Sequence, residues 1–187
     1  MNIITPIIHQ SWNPLLHELY QSPLLEFIAE GLQDIAFRPR RNEIFKSFSM
    51  PVEDVKVVIM KDEPDYASGW YVNKQHRDQG VMLLHASLTT ETGKPGSHAK
   101  YWENWTKKVI SYLCHKNPCI WIMTDKAIQK FIPYINSKGY LVNGYDAETI
   151  KKIPANDDYN YIIIHKDTQE DFTNEILFKT KNTKILW

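Results

Sequence analysis

The stretch Lys56–Trp70, KVVIMKDEPDYASGW, runs an apolar, β-branched segment straight into a loop that sets Asp62, Glu63 and Asp65 around a proline. A continuous apolar run is what a strand needs when both of its faces are covered, as in a parallel sheet. Crowding three carboxylates at the end of such a strand works against stability, a conflict that chains keep at working positions, present or former. Similar runs recur along the chain: Val55 to Met60, Gly80 to Leu84, Cys119 to Met123 and Tyr140 to Asn143 read as four strands. Asn13 to Gln33 has its leucines at near-helical spacing and reads as a helix kinked or broken at Pro23. Tyr101 to Leu113 reads as an amphipathic helix with Trp102, Trp105 and Val109 on one side, and Asp125 to Asn136 as a helix capped by Thr124 or Asp125. This alternation predicts a three-layer α/β/α sandwich around a central, mainly parallel four-stranded sheet. Ligands of such sheets sit outside the carboxyl ends of the strands. Asp62 to Asp65, His85 to Ser87, Thr124 with Asp125, and Gly144 to Asp146 would meet there; solvated loop is the plain alternative.

The chain has 187 residues, 43% of them hydrophobic, which suits one core and one domain spanning 1–187. Its 22 Lys and Arg balance 22 Asp and Glu, so no global field draws it to nucleic acid or anionic lipid. A basic surface must be local, and Phe37 to Phe45 (FRPRRNEIF) offers one: Arg38, Arg40 and Arg41 are candidate phosphate contacts, or else a solvated turn. Cys114 and Cys119 lack metal-site spacing and read as buried thiols in a reducing compartment, the cytoplasm. No stretch approaches the ~18 apolar residues of a membrane span, and no metal or cofactor is expected.

Several pieces in one order carry a resemblance. DVKVVIMKDEPDY, QGVMLLHASLTT, SHAKYWENWT and FTNEILFKTKNTKILW follow one another, with Ser11 and Trp12 opening the first helix. They resemble the uracil-DNA glycosylase family over nearly the whole chain. By that resemblance Glu63 stands where the family has the Asp that orients water and steadies the sugar. Asp62, Asp65, Tyr66 and His85 stand in the base pocket: His85 replaces the Asn that reads uracil, and Asp65 the Tyr that excludes a C5-methyl group. Tyr145, in YLVNGYDAETI, is matched to the His that opens the family's segment after the last strand and stabilises the departing uracil anion. The family's Ser-Pro clamps and leucine wedge are not found, and Ser97, His98, Trp102 and Trp105 read as bracing.

An imidazole cannot present the in-plane donor and acceptor of an amide, so uracil reading is expected to fail. The resemblance therefore implies a diverged, catalytically silent member. Such a protein would bind or scaffold partners in DNA replication, repair or host takeover, with weak DNA binding at most. Poxvirus members, which share the SHAKYW piece, show that the family can serve polymerase processivity. The Lys, Asn and Ile richness fits an AT-rich source such as a phage. The alternatives are a glycosylase for a C5-substituted pyrimidine that uses Glu63, and a protein-binding decoy or inhibitor.

Overall fold

A computed structural model of the chain describes residues 8–64, 74–123, 126–135, 139–142, 147–156, 158–164 and 170–187. In chain order the elements are α1 (Asn13–Tyr20), α2 (Pro23–Glu26), β1 (Phe37–Arg38), β2 (Val57–Lys61), α3 (Lys74–Asp78), β3 (Val81–His85) and β4 (Thr90–Glu91). They continue with α4 (Ala99–Lys116), β5 (Ile120–Met123), β6 (Gly139–Val142), α5 (Ala147–Lys152), β7 (Asn160–Ile164) and α6 (Glu170–Lys181). The helix expected over Asn13 to Gln33 is broken: Pro23 starts α2, which passes into a wider π-type turn at Phe27–Gly31. The helix expected over Asp125 to Asn136 is a 3₁₀ segment, Lys126–Tyr134, with Pro133 inside it.

One sheet has the order β3-β2-β5-β7-β6 and every pairing in it is parallel. The expected layering stands, but with five strands: β7 was not foreseen, and it separates β5 from the edge strand β6. Its run NYIII is as apolar as those of the foreseen strands and is buried from Asn160 to Ile163.

Side chains alternate across this sheet with the strand period of two. Val58, Met60, Met82, Leu84, Trp121, Met123 and Ile162 enter one core with residues of α1, α2 and α4. Val57, Val81, Ile120, Ile122, Tyr161 and Ile163 enter the other, against Ile176 and Leu177 of α6. Trp12 is fully buried and donates its indole N–H to Met50 O at 2.7 Å, while Tyr112 of α4 donates to Ser11 O at 2.6 Å. Ser11 and Trp12 thus tie the first helix to α4 and to the approach to β2. Asn117 closes α4 by donating to the carbonyls of Val52, Glu53 and Val55.

At the entrance to β3, Gly80 has φ +96° and its carbonyl accepts from the amides of Lys56 and Val57. A Cβ there would lie 2.5 Å from Asp54 O. Left-handed backbone is unfavourable for any residue with a Cβ, and the clash with main chain adds to it. Gly80→Ala is expected to lower stability by at least about 2 kcal/mol, read as a shift of the urea midpoint with unchanged slope.

Candidate functional site

β2 and β3 end side by side, Lys61 opposite His85. Their pairing continues into the loops: Ala86 N–H donates to Lys61 O and Ser87 N–H to Asp62 O, each at 2.8 Å. Thr106 of α4 fixes the other side of the same peptide by donating to Ala86 O at 2.7 Å. Lys61 and Asp62 are therefore held beside His85, Ala86 and Ser87, the meeting of the two strand ends that the sequence predicted.

What lies behind them is a seam of buried polar groups, His85, Ser87, Thr89, Thr90 and His98. Trp102 donates its indole N–H to Thr89 Oγ1 at 2.7 Å, and the same hydroxyl lies 3.0 Å from His98 Nδ1. An indole can only donate, so Thr89 accepts from Trp102, and its hydroxyl has a second site free for His98 Nδ1. Burial lowers the His98 pKa, and the negative charges of Glu91 and Glu63 oppose that shift without reversing it.

The loop between β4 and α4 is cross-linked on itself. Glu91 N–H donates to Ser97 Oγ at 2.9 Å, Thr90 Oγ1 to Lys94 O at 3.2 Å, and Gly93 and Gly96 take φ +80° and +75°. It presents one amide outward: Gly96 N–H donates to Glu63 Oε2 at 2.7 Å. The Glu63 carboxylate has an oriented donor, so the crowded acidic loop is held by attraction at this point.

Asp65, Tyr66 and Tyr145 lie outside the described residues, as do Thr124, Asp125 and 144–146. Tyr145 was matched to the family histidine on the premise that Tyr140 to Asn143 is the last strand. That premise does not hold, because β6 is the edge strand and β7 comes later in the chain. The residue that follows Ile164 in sequence is His165. The apolar run Tyr161–Ile164 was the signal that could have found it.

The arginines divide. Arg41 donates to Ile28 O at 3.2 Å and Leu32 O at 2.7 Å and lies 5.6 Å from the centre of the Phe37 ring. It caps the carbonyls that end the α2 turn, with Nη1 and Nη2 turned to the main chain. Arg38 lies in β1, paired with Thr90, with Nε and Nη1 shut off from solvent; Arg40 is exposed. The bracing expected of Ser97, His98 and Trp102 is what the contacts above describe. Both cysteines are free and buried, and burial pushes the Cys119 thiol up. Among the described residues no three metal-ligating side chains are gathered, and no helix is long and apolar enough to cross a membrane.

No protein-family model matches the chain. A uracil-DNA glycosylase of Buchnera aphidicola is 33% identical over 95% of this chain and 97% of its own length. One of Azobacteroides pseudotrichonymphae is 27% identical over 96% and 98%. Among solved structures, a mimivirus UNG variant in complex with UGI superposes with TM-score 0.69 at 14% identity, covering 99% of this chain and 89% of that one. The UNG of Nitratifractor salsuginis superposes with TM-score 0.55 at 13% identity, covering 97% and 94%.

Two outcomes test this geometry. An amide oxygen can still accept from Gly96, so Glu63→Gln is expected to change stability by less than about 0.5 kcal/mol, whereas Glu63→Ala loses about 1 kcal/mol at this exposed bond; urea melts at pH 7 compare them. For His98 the folded pKa lies below the unfolded value near 6.5, so the folded state binds fewer protons. Its stabilising contribution is complete above that value and declines as pH falls below it. The drop in urea midpoint between pH 7 and pH 5 should be smaller in His98→Gln than in the wild type.

Proposed function

The chain belongs to the uracil-DNA glycosylase family, and we propose that it is a diverged member that binds partners through the family scaffold and does not excise uracil. The observation that carries this reading is His85. It is 4% exposed at the end of β3, at the position that the family resemblance gives to the uracil-reading amide. A buried imidazole offers one donor and one acceptor on different sides of its ring, and it cannot match both the carbonyl and the N–H of a uracil edge as an amide does. Glu63 keeps a carboxylate at the neighbouring position, with one oxygen engaged by Gly96. The partners are proteins of replication, repair or host machinery.

DNA binding is weak and salt-sensitive in this reading. Net charge is zero and Arg41 is committed inside the fold, so few phosphates are neutralised. One domain over 1–187 suffices, and two buried free thiols suit a reducing compartment such as the cytoplasm.

A second reading is favoured by His165. It follows the last strand directly in sequence, where the family resemblance places the imidazole that stabilises the leaving base. With Glu63 it would complete a carboxylate and imidazole pair for excising a C5-substituted pyrimidine, and Asp65 would leave room at C5.

Excision assays on strands carrying uracil, 5-hydroxymethyluracil or thymine separate the two. Uracil release is expected to stay at the no-enzyme background. Release of 5-hydroxymethyluracil, abolished by both Glu63→Gln and His165→Ala, would replace the first reading with the second. Uracil release abolished by Glu63→Gln would overturn both.

A further inference from the structure

Away from the strand ends, a groove of about 650 Å³ lies between α1–α2 and α4. We propose that it docks an amphipathic helix of a protein partner, with acidic residues beside its apolar face. The proposal deepens the binding-protein reading by naming the class of partner and where it sits.

The apolar wall is formed by Leu24, Phe27, Tyr101 and Trp105. Phe27 and Tyr101 stack with ring centres 4.0 Å apart and planes 12° from parallel, yet Tyr101 remains 42% exposed. Two aromatic rings held rigidly against each other, with one left open to water, form an anchor surface that loses little conformational freedom on binding. Trp105 adds a second feature. The indoles of Trp12, Trp102 and Trp121 each have an acceptor, but Trp105 Nε1, like Trp187 Nε1 elsewhere in the fold, is buried with none among the described residues. A buried N–H without an acceptor is a rare condition that an incoming carbonyl or carboxylate would relieve.

Charge identifies the occupant. Lys100, Lys107 and Lys108 line the groove against a single carboxylate, Glu18. Lys108 is already paired with Glu18 at 2.5 Å, and Lys107 with Glu103 at 2.7 Å, an acid that Lys107 and Lys130 together hold down to about 2. Lys100 instead lies 4.8 Å from the centre of the Tyr101 ring, at the open end of the stack, and among the described residues it has no carboxylate partner. The lining has a positive excess, concentrated at Lys100 beside the exposed aromatic face. A nucleic-acid strand would need several uncommitted cations along its phosphates. An acidic helix needs an apolar trough and one or two cations at its edge.

The dimensions agree. From Lys100 to Lys108 α4 rises about 12 Å, two turns, the length over which a partner helix places anchors at i, i+3, i+4 and i+7. The groove also reaches the polar seam, because Phe27 meets His98 edge-on at 5.2 Å.

The test pans a random sixteen-residue phage-displayed peptide library against the full-length protein. Enriched peptides are resynthesised, and their affinities are measured by fluorescence anisotropy for the wild type, Lys100→Glu and Tyr101→Ser. Both substitutions are at exposed positions, and thermal melts confirm that the variants fold. The expected peptides combine acidic residues with bulky apolar ones at helical spacing, bind at least tenfold more weakly to each variant, and shift the Trp105 indole resonance in nitrogen–proton correlation spectra. No enrichment, peptides without acidic bias, affinities unchanged in both variants, or displacement by an oligothymidylate of equal length at equal concentration would each overturn it. Uracil excision would sink the function proposed above and leave this result as it stands.

Discussion

Asn160 sets the frame on which the rest of the molecule depends. Its Oδ1 accepts from the Cys119 amide and from the Trp121 indole, each at 3.1 Å, in a region from which water is excluded. A buried donor stripped of its acceptor costs about 1–3 kcal/mol, so β7 has one favourable register against β5. The edge strand β6 pairs only with β7 within the sheet, and β5 in turn carries β2, whose end presents Asp62 and Glu63. One carboxamide thus links the placement of the last strand to that of the first acidic loop.

Because both faces of the sheet are covered by packed side chains, polar chemistry is pushed to the strand ends and to the loops beyond them. At the β2 and β3 ends the buried groups do not sit unpaired. Ser87 donates to Thr89 O at 2.7 Å, Thr89 bridges Trp102 and His98, and the loop ending at Ser97 is bonded across itself. Such a network stiffens a loop that has almost no apolar side chains of its own. Its stiffness turns the Gly96 amide into a fixed donor for Glu63, with no entropy lost in ordering the loop around the carboxylate.

The readable parts of the sequence were those governed by local pattern. The apolar runs of β2, β3 and β5 and the one-sided aromatic spacing of α4 stand close to where they were expected, because burial on two faces or on one stripe leaves a short-range trace. β7 left the same trace in NYIII. The run Tyr140 to Asn143, read as the last strand, is the edge strand β6, in which Gly139 and Leu141 are exposed and Val142 is buried. The use of Arg41 could not be read from its neighbours. A guanidinium bonds carbonyl and phosphate oxygens alike, and the choice was made by the end of a helix some ten residues upstream. The contact between Glu63 and Gly96 spans 33 residues and joins two loops, so no periodicity announces it.

The bonds that carry the β2–β3 pairing past the strand ends, Ala86 to Lys61 and Ser87 to Asp62, involve main-chain atoms alone. They would form with almost any side chains at those positions. The backbone of residues 61, 62 and 85 to 87 is consequently held in place by a frame that is indifferent to what they carry. Mutational drift can rewrite the chemistry at that edge, amide to imidazole or short carboxylate to long, while selection for a stable fold registers little. A lineage that lost or changed its substrate would keep its architecture and a ready set of positioned residues from which a new recognition could be selected.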